Sequence, residues 1–228
     1  MSEIRNFVKV DTHSHTCFSG DSTTTLNEFI EAAEKTDLNY IAVTDHGTIS
    51  GALKLKEVED QLKFKIIVGQ EQKVAEGELL GLFLEKRIPP GLGLISTAKF
   101  IKDQGGIVTI PHPFDSFRHS LKRVQIETLA GLNLVDAIET FNSKTKQPSS
   151  LKKAVAIADE LKLLRVGGSD SHVPLALGSS LVLMQDFTDA KTFLKSLSNS
   201  QVIGRFSDPP RRWENRLVTQ ELLPLDRN

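Results

Sequence analysis

The chain has 228 residues, a length at which an α/β barrel is still one unit, so a single domain over residues 1–228 is expected. Hydrophobic residues make up 39% and charged residues 25%, and a net charge of -1 leaves no whole-molecule field to recruit nucleic acid or a membrane surface. One cysteine, Cys17, excludes an internal disulfide framework; with no signal-peptide start and no apolar run near the roughly 20 residues that span a bilayer, a cytoplasmic protein without membrane contact is expected.

Short aliphatic runs alternate with longer helical patterns along the sequence. Phe7–Val10 predicts a first strand. Leu26, Phe29, Ile30 and Ala33 then keep helical spacing through Leu26–Thr36, and Thr25 with Glu28 three residues on predicts a capping box at its start. Tyr40–Val43, Lys65–Val68 and Leu79–Leu84 predict the next three strands. Glu85–Gly93, with Pro89-Pro90-Gly91, reads as a loop, and Ser96 as the cap of the helix that follows. Gly106–Ile110 predicts strand five, Phe114–Lys122 a loop, Val135–Ile138 strand six, Ser149–Leu161 a helix and Leu163–Val166 strand seven. Strands alternating with helices imply parallel β-α-β units, and hence a barrel or a doubly wound sheet. Residues after about 206, with Asp208-Pro209-Pro210, Arg211, Arg212 and Arg216, read as a surface tail.

Five of the six histidines fall at the carboxyl end of a predicted strand: His13 and His15 after the first, His46 after the second, His112 after the fifth and His172 after the seventh. In parallel α/β folds those ends form one face, where binding sites are built. Asp21, Asp45, Glu71 and Asp170 lie at the same edge. Imidazole and carboxylate are ligands for zinc, manganese and iron. A His-x-His pair in extended backbone sends both rings to one side, so His13 and His15 can share an ion, and Asp170 with His172 has the same spacing. The supply of donors exceeds what one ion needs, which argues for two or three. Asp11 and Asp45 read as residues that orient a neighbouring imidazole, His119 as a satisfied polar residue and Cys17 as packing.

These residues resemble the PHP superfamily of metal-dependent phosphoesterases, named for polymerase and histidinol phosphatase. The resemblance runs from Val10 to about His172. It is carried by Asp11-Thr12-His13-Ser14-His15 with Asp21, Thr44-Asp45-His46, Gly69-Gln70-Glu71, Pro111-His112-Pro113, Ile138-Glu139-Thr140-Phe141-Asn142 and Gly168-Ser169-Asp170-Ser171-His172. It implies a distorted seven-stranded, TIM-like β/α barrel in the compact form of the family. It further implies that His13, His15, Glu71 and Asp170 hold one divalent ion, that Glu71 bridges to a second bound by His112, and that Asp21, His46 and His172 hold a third. Glu78 stands where many relatives have histidine, a harder donor that favours manganese or iron over zinc.

Such a site hydrolyses phosphoesters with a metal-activated water. No Gly-x-Ser-x-Gly elbow and no P-loop competes with that reading. Arg118 is the candidate for a forked contact to phosphate, Asn142 for orienting substrate or a ligand, and Asp45 for assisting proton transfer. Lys122 and Arg123 read equally as phosphate contacts or as a solvated helix face, and Arg205, Arg211 and Arg212 as decoration. The expected substrate is a nucleotide, a short oligonucleotide or a small phosphomonoester, with no obligate protein partner in evidence. The alternatives are a histidinol-phosphate phosphatase and a non-catalytic, metal-stabilised binding or regulatory module. One Trp and one Tyr give little for stacking nucleic acid.

Overall fold

The apolar runs become strands because each is β-branched or aliphatic and ends at a turn residue, and the helices between them cover the outer face they leave. The computed structural model describes residues 7–211 and 218–225. In chain order the strands are β1 (Phe7–Ser14), β2 (Tyr40–Val43), β3 (Lys65–Val74), β4 (Gly77–Leu82), β5 (Ile107–Ile110), β6 (Ala137–Asn142), β7 (Leu164–Gly168), β8 (Ser180–Gln185) and β9 (Gln201–Gly204). The helices are α1 (Leu26–Glu34), α2 (Ser50–Lys56), α3 (Leu94–Asp103), α4 (Arg123–Gly131), α5 (Pro148–Leu161) and α6 (Ala190–Leu197). Thr25 forms the expected capping box with Glu28, whereas α3 begins at Leu94 behind Gly93, which places Ser96 inside the first turn rather than at the cap.

Among the described residues one sheet contains nine strands, in the order β7-β6-β5-β4-β3-β2-β1-β8-β9. It curls into a nearly closed barrel. β8 pairs with the first half of β1, from Phe7 to Val10, and leaves its far end free to meet the segment after β7, where Ser14 bridges Ser171. Two strands exceed the seven expected. β8 alternates buried and half-buried positions, and β9 is mostly exposed, so its sequence carries little apolar signal. A second departure from a uniformly parallel barrel is β4, which runs antiparallel to both β3 and β5. Only two residues separate β3 from β4, too few for the crossover that a parallel pair needs.

The inner face of the barrel is filled by Val8, Val10, Ala42, Ile67, Leu82, Ile107, Ala137, Val166, Val182 and Met184, joined from α6 by Phe193 and Leu197. Outside, Leu26, Phe29 and Ile30 of α1 and Leu55 of α2 pack on Ile41, Val43 and Ile66. Leu94, Ile101, Ile126 and Ile157 of α3, α4 and α5 cover Leu79, Val108, Ile110 and Ile138. Among the described residues no helix is long and apolar enough to cross a membrane.

Two bulges change which side chains face inward at the mouth of the barrel. Asp11 pairs with Ile41 and Ser14 with Val43, so β1 spends three residues where β2 spends two. The extra residue shifts the phase of alternation, and His13 and His15 continue the inward face begun by Val8 and Val10. β6 does the same between Glu139 and Phe141, opposite Val166 and Gly167, and Asn142 thereby joins Ala137 and Glu139 on the inside.

Candidate metal centre

Glu71 sits at the middle of the cluster these strands bring together. It projects from β3, its side chain is 1% exposed, and His46 pairs with it in a backbone bridge that extends β2. One carboxylate oxygen lies 3.3 Å from Nε2 of His13, 3.3 Å from Nε2 of His15 and 3.2 Å from Nδ1 of His46; the other lies 3.0 Å from Nε2 of His112. Three overlapping groups each hold their donor atoms within 4.8 Å of one another: His13 with His15 and Glu71, Glu71 with Glu78 and His112, and His15 with His46 and His172. Asp170 adds an oxygen 3.5 Å from Nε2 of His15, and Asp21 one 3.1 Å from Nε2 of His172 and another 3.5 Å from His46.

The hydrogen bonds behind the rings decide how the donors point. Nδ1 of His13 donates to Glu139 at 2.8 Å, Nδ1 of His15 to Ser19 Oγ at 2.8 Å and Nδ1 of His112 to Ser120 Oγ at 3.1 Å, while Nδ1 of His172 lies 2.9 Å from the Asp170 carbonyl and 3.1 Å from the Lys144 ammonium. Each ring with its outer nitrogen protonated turns an Nε2 lone pair inward. Nε2 of His13 and Nε2 of His15 then face each other at 2.9 Å. That separation calls for positive charge between the two nitrogens, a proton carried by His13 or a metal ion shared by both. The donor set therefore fits divalent ions on chemistry alone. His112 and Asp170 also have left-handed backbones, with φ of 29° and 52°, a conformation that L-residues rarely adopt and that concentrates at functional sites.

The electrostatics agree. Burial disfavours charge on Glu71 and Asp170, yet the imidazoles around Glu71, and Arg118 and Lys144 beside Asp170, hold both carboxyls well below the ordinary range. Burial together with the neighbouring His172 and His46 pushes His15 well below its usual value, which keeps it neutral. Burial opposes a charge on His13 as well, but the carboxylates of Asp170, Glu139 and Glu71 outweigh it and raise its pKa. Glu78 is raised by burial and by the like charge of Glu71.

A pocket of about 370 Å³ opens above the cluster. Asp21, His46, Glu78 and His172 form part of its floor; Arg118, Lys144, Lys146 and Arg211 stand in its walls, with Phe117 and His119 among them. Arg118 pairs with Asp170 from the loop after β5. Asn142 donates to Glu139 at 2.9 Å and to Asp170 at 3.1 Å, so it orients carboxylates. Asp45 is a correction. Its carboxylate accepts from the Thr16 backbone, the Thr16 hydroxyl and Ser19 at 2.7 Å each, and it reaches the cluster only through Ser19, which holds His15. That is a place for orienting an imidazole, not for passing a proton to a substrate. Asp11 accepts from the Ser169 and Gly178 backbones at 3.0 Å and ties β1 to the segments after β7, where it orients no imidazole. His119 bonds the Ala75 carbonyl and stands apart from the three groups.

Sequence reasoning assigns no role to four residues that the structure places here. Glu139 accepts from both His13 and the His112 backbone; its signal is a carboxylate inside the apolar run Ala137-Ile138. Lys144 lies 3.4 Å from Asp170 and 3.1 Å from His172. Burial lowers its pKa, and Arg118 and Arg211 add like-charge repulsion. Ser19 and Ser120 support rings. Arg211, read as decoration, reaches the pocket 3.9 Å from Asp21. Arg205 is exposed, while Arg212 and Arg216 lie outside the described residues.

The PHP domain profile matches residues 11–223. The chain belongs to the PHP domain family. A protein of Methanocaldococcus jannaschii is 34% identical over 146 residues, 60% of this chain and 82% of that one, and is named only as uncharacterized. A protein of Shewanella piezotolerans named "Probable phosphatase" is 28% identical over 199 residues, 74% of this chain and 80% of its own. Among solved structures, a two-domain protein of Bacteroides vulgatus "containing predicted PHP-like metal-dependent phosphoesterase" superposes with a TM-score of 0.75 at 17% identity. The match covers 88% of this chain and 65% of that longer one, and supports the PHP barrel.

Proposed function

We propose that the protein hydrolyses a phosphoester, with a small phosphomonoester or nucleotide as substrate and two or three divalent ions held by His13, His15, Asp21, His46, Glu71, Glu78, His112, Asp170 and His172. The observation that carries this reading is the set of inward-turned Nε2 atoms around the shared Glu71 carboxylate, directly beneath a pocket walled by cations. When bound, the ions supply the concentrated positive charge that acidifies a water and offsets charge on phosphoryl oxygens. The protein's own groups do the rest. Glu139 fixes the His13 tautomer, Ser19 relays the hold of Asp45 onto His15, and Asn142 steadies Glu139 and Asp170. Arg118 gives one arm of its guanidinium to Asp170 and keeps further N–H donors for phosphate oxygens.

The cation-lined wall suits the doubly charged end of a phosphomonoester, and the likeness to proteins named as phosphatases supports the same class. Glu71 and Glu78 make the His112 group rich in oxygen, which favours manganese or iron there over zinc. A metal-stabilised binding module is the weaker reading, because structural sites are closed and this cluster opens into a pocket. The deciding experiment is metal analysis of protein purified without chelator, followed by hydrolysis of p-nitrophenyl phosphate and a nucleotide panel with manganese supplied. Two or three ions per chain with chelator-sensitive phosphate release are expected. A full metal complement with no turnover overturns the enzyme in favour of the binding module, and absence of metal overturns the site.

A further inference from the structure

Arg211 occupies an unusual position for a residue so far along the chain. After β9 the backbone is tied down twice: Arg205 N–H donates to the Ser179 carbonyl at 2.8 Å, and Ser207 N–H to the Ser143 carbonyl at 2.9 Å. Phe206 packs on Phe141, with ring centroids 5.2 Å apart. These contacts lead the segment across β6 to the pocket, where Asp208 accepts an ion pair from Lys146 at 3.3 Å and Arg211 enters the wall. The guanidinium is only about one-third exposed, its nearest carboxylate oxygen is 3.9 Å away on Asp21, and its buried Nε finds no partner among the described residues. Lys144 stands across the same floor, 3.1 Å from Nδ1 of His172, while Asp21 meets Nε2 of that ring. Two cations from different segments thus stand beside the Asp21–His172 pair: Lys144 shares the Asp170 carboxylate at 3.4 Å, and Arg211 has only the Asp21 oxygen at 3.9 Å.

We infer that Arg211, carried into the pocket by the segment after β9, is a substrate-positioning residue that works with Lys144 to grip the non-bridging oxygens of the phosphate on the Asp21–His172 side of the cluster. The inference rests on the phosphoesterase reading and adds to it a residue and a direction. An anion with several oxygens can engage the exposed guanidinium N–H groups of Arg211 and the Lys144 ammonium at once, in a way that the single Asp21 oxygen does not. Arg118, paired with Asp170 in the same pocket, offers its remaining N–H donors to the same anion.

The test uses the metal-loaded full chain, with p-nitrophenyl phosphate as substrate and inorganic phosphate as competitive inhibitor. Arg211→Ala is expected to raise both KM and the inhibition constant of phosphate about tenfold, as loss of a hydrogen bond to a charged group does. Turnover number and metal content are expected to stay within about twofold, and Arg211→Lys to recover part of the loss. Unchanged KM and phosphate inhibition in Arg211→Ala overturn the inference and leave the phosphoesterase standing. Loss of metal in that variant overturns it too, because Arg211 then acts by holding Asp21. A wild-type protein that binds metal but neither cleaves the ester nor binds phosphate removes both readings together.

Discussion

Glu139 holds two parts of the site at once: one oxygen fixes the His13 ring and the other accepts the backbone N–H of His112 at 2.6 Å. Replacing it by glutamine keeps the volume but puts an amide where two acceptors are needed. Glu139→Gln is expected to weaken metal binding about 10- to 100-fold with the circular dichroism spectrum intact, as changes behind a ligating histidine do; titration calorimetry with manganese measures it. His46 supplies a pH dependence. Burial works to lower its pKa, but the hydrogen bond to Asp21 and the carboxylates of Glu71, Asp21 and Glu78 outweigh that and bring it to about 8. Binding an ion requires the neutral ring, so a proton must leave below that pH. Apparent metal affinity is therefore expected to rise with pH up to about 8 and to level above it. An affinity that is flat between pH 6 and 8 sinks the assignment of His46. The histidines are legible in the sequence because each follows an aliphatic run. Glu139, Lys144 and Arg211 are harder to read, since a single carboxylate or cation in a motif looks the same whether it faces solvent or a buried ring.

At the scale of elements, the bulges in β1 and β6 deserve the credit for assembling the mouth. A regular strand would put Val10 and His13 on opposite faces; the extra residue puts them on one. No apolar pattern announces such an insertion, and this is why strand positions are legible while their facing is not. The antiparallel β4 is legible in hindsight from its two-residue connection, whereas β9 is too exposed to leave a pattern. Gly168 at the end of β7 shows how tight the assembly is. A Cβ there would collide with Cβ of His13 and with the Glu139 carboxylate. Gly168→Ala is expected to lower both bound metal and the melting temperature. If metal content and melting are unchanged, the approach of β7 to β1 is looser than described.

Across the whole molecule, the cluster gathers several buried carboxylates and imidazoles whose mutual repulsion bound cations relieve. The native state alone presents this arrangement, so metal stabilises it by mass action. At a free ion concentration of about 100 times the dissociation constant the gain is about 2.7 kcal/mol, which raises the melting temperature by roughly 5–10 °C for a domain of this size. Thermal scans with and without chelator check this; identical melting curves contradict a native-state metal site.

The bridge from Ser14 to Ser171 has a consequence for how the protein is made. Ser169 Oγ donates to the His13 carbonyl across 156 positions of sequence, and Asp170 N–H to the same carbonyl. During synthesis His13 and His15 leave the ribosome long before Asp170 and His172 exist. Contacts of such sequence separation form late and slowly. The emerging chain therefore carries half of the candidate site through most of its translation, and tight capture of an ion is expected only once the barrel has closed.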